Sequence, residues 1–203
     1  MSADTVTKPG LPLALKITLV RIMGIPVFVG LLVYYLSGLH EGHNLMQLRL
    51  AALGVFIVIA ATDALDGYLA RARNEVTRLG TVLDPLADKA LILSALIILT
   101  RPTLPQLAPH IPIWFTTLVI SRDVVLIIGY FLVHHFIGHV EVRPRWSGKI
   151  ATALTLLAIC WVLMQKLDVW FDRFIIVAGI CTAISMIQYL VDGARQLAKI
   201  PHH

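Results

Sequence analysis

Residues 63–88 decide both the fold and the candidate site, and they read DALDGYLARARNEVTRLGTVLDPLAD. The stretch lies between two long apolar segments and contains two closely spaced carboxylate pairs. Asp63 and Asp66 are three residues apart, and Asp84 and Asp88 are four apart. On helices each pair projects to one face and is placed to close around a cation. Because an ionised side chain costs about 2.5–3.5 kcal/mol at the centre of a membrane helix, four carboxylates beside apolar segments indicate a functional site.

The composition around this stretch is that of a membrane protein. The chain has 203 residues, of which 58% are apolar and 14% charged, and its mean hydropathy is +0.81. These values exclude an ordinary soluble domain and predict an all-α integral membrane protein. We expect residues 1–203 to form a single membrane domain, with residues 1–10 as a flexible polar tail. Six apolar runs have spanning length: about Leu11–Ser37, Leu48–Ala70, Val82–Leu99, Ile111–Phe136, Lys149–Met164 and Trp170–Leu190.

The basic residues predict how these spans are oriented. With the N-terminus inside, ten basic residues near the span ends face the cytoplasm and four face the other side, which supports cytoplasmic N- and C-termini. The net charge of +5 then indicates contact with anionic lipid headgroups and not with nucleic acid, because no basic stripe is interleaved with exposed aromatic residues. The inner group is Lys8, Lys16, Arg71, Arg73, Arg78, Arg143, Arg145, Lys149, Arg195 and Lys199, and the outer group is Arg49, Arg101, Lys166 and Arg173.

In this topology the polar residues of several spans meet at the inner edge of the membrane. Odd-numbered spans begin inside and even-numbered spans end inside, so Arg21 and Lys149 lie at the same edge as the four aspartates. The sequence therefore predicts a polar cavity that is open to the cytoplasm and flanked by lipid. Carboxylates facing cations across such a cavity suit divalent metals that bind a phosphorylated substrate, with arginine and lysine for further phosphates.

Several of these residues also have a purely structural interpretation. Gly67 and Ala70 are small enough to serve helix packing, and Arg71 is placed to anchor a helix end at the interface. Arg21 can extend its charge to the headgroups. Arg122, within the fourth span, either forms a salt bridge to another helix or binds the phosphate of a second substrate.

The motif resembles the signature of the CDP-alcohol phosphotransferase (CDP-alcohol phosphatidyltransferase) family. Its pattern is Asp63, two residues, Asp66-Gly67, two residues, Ala70-Arg71, eight residues, Gly80, three residues, Asp84, three residues and Asp88. Every specified position is present. Six spans with both ends inside also match the family, so the resemblance covers essentially the whole chain.

The resemblance implies metal-dependent transfer of a phosphatidyl group. Asp63, Asp66, Asp84 and Asp88 would hold two divalent cations, Mg²⁺ or Mn²⁺. Asp88 would also be the general base that takes the proton from an alcohol attacking the β-phosphorus of CDP-diacylglycerol, with CMP as the leaving group.

The same resemblance assigns residues to the nucleotide. The cytidine diphosphate would lie along Asp63, Gly67, Ala70, Arg71 and Gly80. The diacyl chains would remain in the bilayer throughout the reaction.

The acceptor alcohol is indicated by the flanking sequence. Residues 77–97, with Ser147-Gly148-Lys149 and Thr152, resemble phosphatidylglycerophosphate synthases, whose acceptor is sn-glycerol 3-phosphate. Arg21, Arg122 and Lys149 would then bind the acceptor phosphate. Ser121-Arg122-Asp123 instead resembles the CDP-alcohol type of cardiolipin synthase, whose acceptor is phosphatidylglycerol, and this alternative stays open.

A second class of function is a divalent-cation transporter, because carboxylates in membrane helices also mark ion paths. The transferase is favoured, since an ion-conduction path should place polar groups through the outer half of the membrane as well.

Family resemblance further predicts a homodimer. A bacterial inner membrane is expected, because no Arg-rich, Ser-rich presequence precedes the first span.

Overall fold

The computed structural model describes residues 13–41, 43, 45–73, 78–100, 109–137, 146–165 and 169–197. Side chains are described within this set except at residues 13–19, 40, 63–73, 78–86, 130, 132–137 and 196–197. Six α-helices account for nearly all of it: α1 Leu13–His40, α2 Met46–Arg73, α3 Arg78–Leu99, α4 Ile113–Ile137, α5 Trp146–Met164 and α6 Trp170–Leu197. The predicted all-α class is therefore confirmed.

Each of the six predicted apolar runs coincides with a helix, and the bounds differ by a few residues. Within the described ranges, three helical segments are long and apolar enough to cross a membrane: Val20–Leu39, Trp146–Met164 and Trp170–Arg195. Met46–Thr62 is a shorter apolar helix. Six spans, the polar cavity and the cytoplasmic termini stay predictions.

The chain divides into two compact units, Met1–Ser94 and Ala95–His203, and the boundary lies within α3. In the first unit α1 packs against α2. Phe28 and Phe56 are fully buried between these helices, with ring centroids 5.4 Å apart. At the end where α1 passes into α2, the buried Arg49 forms a hydrogen bond with the buried Tyr35. A charge in this apolar setting is thus given a polar partner.

In the second unit α6 packs against both α4 and α5. Trp161 of α5 lies against Phe171 and Phe174 of α6, with ring centroids 6.0 and 5.4 Å away. The first turn of α6 also carries a cation over an aromatic face, because the Arg173 guanidinium lies 5.0 Å from the centre of the Trp170 ring.

Polar and small residues fix α4 in the same unit. The buried hydroxyls of Thr100 and Thr116 share a hydrogen bond of 2.6 Å, which ties the residue after α3 to the first turns of α4. Gly179 of α6 lies beneath Trp114 of α4, and a Cβ atom added there would be 2.6 Å from Cζ3 of the indole. A side chain at position 179 would therefore require the Trp114 ring to move.

We expect Gly179→Ala to lower the melting temperature of the protein in detergent, because overpacking of this kind costs about 1–3 kcal/mol. The matched control is Gly129→Ala in α4, where the added Cβ meets no described heavy atom within 4 Å. Adding Trp114→Phe should restore stability to Gly179→Ala, since phenylalanine lacks the clashing ring atoms. Equal melting temperatures for the two alanine variants would contradict this account of the α4–α6 contact.

Candidate functional site

The residues of the aspartate motif lie on two helices. Asp63, Asp66, Gly67, Ala70 and Arg71 belong to α2, and Gly80, Asp84 and Asp88 belong to α3. Helical backbone at both carboxylate pairs is the condition on which the predicted metal site depends. Among these residues only the Asp88 side chain is described, so the other predicted contacts to metal and CDP lie outside the described side chains.

Asp88 is held by an arginine from α1. Nη1 of Arg21 donates a hydrogen bond of 2.8 Å to Oδ1 of Asp88, and the two charges form an ion pair across 67 residues of sequence. The Arg21 side chain is 1% exposed and the Asp88 side chain is 36% exposed. The structure thus buries the cation of the pair and leaves its carboxylate partly accessible.

Arg122 lies at a meeting point of α4, α5 and α6 in the second unit. It is buried, and its Nη1 donates a hydrogen bond of 3.0 Å to Oδ1 of the adjacent Asp123. Its Nη2 makes two longer contacts of 3.5 Å, to the carbonyl oxygen of Gly148 and to the hydroxyl of Ser185. The guanidinium also lies 6.0 Å from the centre of the Tyr189 ring. The ion pair found at Arg122 is therefore with a neighbour on its own helix, and α5 and α6 supply its further contacts.

Gly148 permits this arrangement because it has no side chain. A Cβ atom at this position would lie 2.9 Å from both Nη2 of Arg122 and the Tyr189 hydroxyl oxygen. The Gly148 carbonyl additionally accepts a hydrogen bond of 3.0 Å from Thr152. The Ser147 hydroxyl lies 2.6 Å from Oε1 of Gln188 and donates to it. These contacts fix the first turn of α5 against α6.

Lys149 follows Gly148 in this first turn, so the structure brings Arg122 to the segment that carries Lys149. The Lys149 side chain is exposed, and its Nζ lies 5.3 Å from the centre of the Trp146 ring. Two of the three predicted acceptor-phosphate ligands are thus associated with one helix terminus. The third, Arg21, is instead the partner of Asp88.

Ser185 and Tyr189, which contact Arg122, were not predicted from the sequence. Together with Gln188 they stand at positions i, i+3 and i+4 of a mainly apolar helix. Polar residues at that spacing share one face. The pattern in α6 was therefore the signal that could have identified them.

The donor atoms of the aspartate motif suit a divalent cation. Among the side chains that the structure describes, no three His, Cys, Asp or Glu residues form a metal-binding group. Asp63, Asp66 and Asp84 lie outside that set, and their carboxylate oxygens, with those of Asp88, are the hard donors that Mg²⁺ prefers. The residue types present fit a divalent cation.

Comparison with known proteins identifies the family. The family model described as CDP-alcohol phosphatidyltransferase matches residues 11–191. Proteins of Escherichia coli (strain K12) and Shigella sonnei (strain Ss046), both named CDP-diacylglycerol–glycerol-3-phosphate 3-phosphatidyltransferase, are 32% identical over 182 residues. Each alignment covers 86% of this chain and 90% of the relative. The chain belongs to the CDP-alcohol phosphatidyltransferase family.

Proposed function

We propose that this protein transfers the phosphatidyl group of CDP-diacylglycerol to sn-glycerol 3-phosphate and releases CMP. The observation that carries the proposal is the alignment with relatives named for this reaction, which covers 90% of their length and most of this chain. The complete aspartate motif on α2 and α3 supports it. Membership of an enzyme family also favours the transferase over the divalent-cation transporter.

In the proposed reaction the acceptor hydroxyl is the nucleophile and CMP is the leaving group. A hydroxyl oxygen of glycerol 3-phosphate forms a bond to the β-phosphorus of CDP-diacylglycerol, and the bond from that phosphorus to the oxygen of CMP breaks. The hydroxyl proton passes to the carboxylate of Asp88, for which we propose the role of general base. The partial exposure of this side chain supports the assignment, because a base must come within hydrogen-bond reach of its substrate.

For the other motif residues we propose the roles that the family signature implies. Asp63, Asp66, Asp84 and Asp88 would hold two divalent cations, Mg²⁺ or Mn²⁺. When bound, such ions supply positive charge that neutralises the diphosphate and the charge developing on the leaving group. The cytidine diphosphate would be bound along Asp63, Gly67, Ala70, Arg71 and Gly80.

For the acceptor phosphate we propose Arg122 and Lys149. Arg122 is buried, is held against the first turn of α5, and presents an Nε that has no hydrogen-bond partner among the described residues. Lys149 stands in the same turn with an exposed ammonium group. A planar guanidinium and a mobile ammonium are complementary ligands for a phosphate. The predicted role of Arg21 at this phosphate stays a prediction.

The membrane arrangement is part of the proposal. Six helices, three of them with clear spanning character, support six spans, and an even number returns both termini to one side. The distribution of basic residues supports a cytoplasmic location for that side, where the soluble acceptor would be available. The bacterial relatives support location in a bacterial inner membrane. We also propose a homodimer, as the family resemblance implies.

The direct test is an assay of the purified protein in detergent. With CDP-diacylglycerol, Mg²⁺ and glycerol 3-phosphate we expect release of CMP and formation of phosphatidylglycerophosphate, and we expect a chelator to stop both. Faster CMP release with phosphatidylglycerol as acceptor would support the cardiolipin synthase alternative. Cation flux in proteoliposomes without CMP release would instead indicate a transporter.

We expect Asp88→Asn to reduce kcat by about 10²–10⁴-fold, because an amide cannot accept the proton from the attacking hydroxyl. Binding of Mn²⁺ to the protein, measured by equilibrium dialysis, should be kept in part, since three motif aspartates remain. Asp172→Asn in the exposed first turn of α6 is the control and should retain activity. Near-normal turnover by Asp88→Asn would remove this residue as the base.

We expect Lys149→Gln to raise KM for glycerol 3-phosphate by about 10-fold, with little change in KM for CDP-diacylglycerol. Loss of a hydrogen bond to a charged group costs about 1.5–3 kcal/mol, which is sufficient for such a change. Arg173→Gln is the control, because Arg173 also lies over a tryptophan ring but has no proposed role in the site. An unchanged KM for glycerol 3-phosphate would exclude Lys149 from the acceptor pocket.

A further inference from the structure

The ion pair between Arg21 and Asp88 links the motif to a helix that carries none of its residues. Arg21 belongs to α1, whereas the signature lies on α2 and α3. Arg21 is among the largest fully buried side chains of the described part of the chain, at 2% exposure. Its guanidinium reaches Asp88 at 2.8 Å. The most buried arginine among the described side chains thus contacts the residue proposed as the base.

The contacts of Arg21 differ from those of Arg122, the arginine proposed for the acceptor phosphate. Arg122 pairs with Asp123, which is not part of the aspartate motif, and its side chain is 9% exposed. The Arg21 side chain is 1% exposed and forms an ion pair with a carboxylate of the motif. A phosphate bound at Arg21 would compete with Asp88 for the same guanidinium.

The geometry fits a role in orientation instead. An aspartate side chain on a helix can rotate about its single bonds, and fixing it in one rotamer costs side-chain conformational entropy. A short charge-assisted hydrogen bond from a donor that is packed on all sides restricts that rotation. Since a misplacement of 1 Å can cost about 10²-fold in rate, fixing the base contributes directly to turnover.

We propose that Arg21 is a positioning residue for Asp88: it holds the carboxylate in the orientation that receives the acceptor proton, and it does not bind the acceptor phosphate. This inference rests on the proposed function, in which Asp88 is the base. The proposal gives α1 a role in orienting the base, and this role is not contained in the aspartate signature of α2 and α3.

The kinetic test uses Arg21→Gln and Arg21→Lys at saturating Mg²⁺, with rates expressed per folded enzyme. A positioning role predicts that Arg21→Gln lowers kcat by about 10²-fold while KM for glycerol 3-phosphate stays within about threefold. Arg21→Lys should recover a large part of kcat, because the ammonium still donates to the carboxylate. A large increase in KM with unchanged kcat would overturn the proposal and make Arg21 a phosphate ligand.

Arg49→Gln is the matched control for burial. Arg49 is also a buried arginine of the first unit, but its described partner is Tyr35. We expect this variant to lower the melting temperature while kcat per folded enzyme is kept. If Arg21→Gln behaves in the same way, Arg21 has a structural role only and the proposal fails.

A double-mutant cycle tests the pair without any catalysis. The melting temperature is measured for Arg21→Gln, for Asp88→Asn and for the double variant. If the ion pair is formed, the double variant should lose less stability than the sum of the two single losses. Additive losses would overturn the proposal. This cycle uses no substrate, so it tests the pairing of Arg21 with Asp88 independently of the proposed function. Absence of CMP release by the wild type would refute the proposed function without affecting the result of the cycle.

Discussion

The structure depends on how charged groups are satisfied inside an apolar helical protein. Three buried arginines are found in the described part of the chain, and each has a polar partner: Arg21 has Asp88, Arg49 has Tyr35, and Arg122 has Asp123. A buried charge without a partner would be too costly to keep. Two of these pairs, Arg21 with Asp88 and Arg49 with Tyr35, join different helices and so restrict where those helices meet.

The two units provide partners for their buried arginines in different ways. In the first unit a long-range ion pair connects α1 with α3 and holds a motif aspartate that remains partly exposed. In the second unit Arg122 is paired with its sequence neighbour, and the weaker contacts to Gly148 and Ser185 bring in α5 and α6. The first arrangement holds the carboxylate for which we propose the role of general base. The second leaves a guanidinium with hydrogen-bonding capacity beside the start of a helix, which suits an anionic ligand.

Much of the helical architecture could be predicted from apolar run length. The third run, for example, was expected to end at Leu99, and α3 ends there. The fifth run was expected to begin at Lys149, but α5 begins at Trp146. The hydrogen bond from Ser147 to Gln188 accounts for this difference, because a contact with α6 supports the first turn and local hydropathy does not register it.

Partners distant in the chain could not be predicted in the same way. The motif spacing identified Asp88, yet nothing local indicates that a residue 67 positions earlier would hold it. The spacing of Ser185 and Tyr189 could have placed them on one face of α6. It could not show that Arg122 of α4 and Gly148 of α5 would lie against that face.

One further consequence comes from the tryptophans that begin α5 and α6. Each lies beneath a cation, Trp146 beneath Lys149 and Trp170 beneath Arg173. Trp146 begins α5, and Trp170 begins α6, six residues after the last residue of α5, Met164. The 19 residues of α5 at 1.5 Å rise extend about 28 Å, close to the thickness of a bilayer core. Tryptophan and a neighbouring cation form the kind of amphipathic pair that is enriched at membrane–water interfaces. In the proposed membrane arrangement, this spacing would set the depth of the Lys149 ammonium relative to the lipid phosphates.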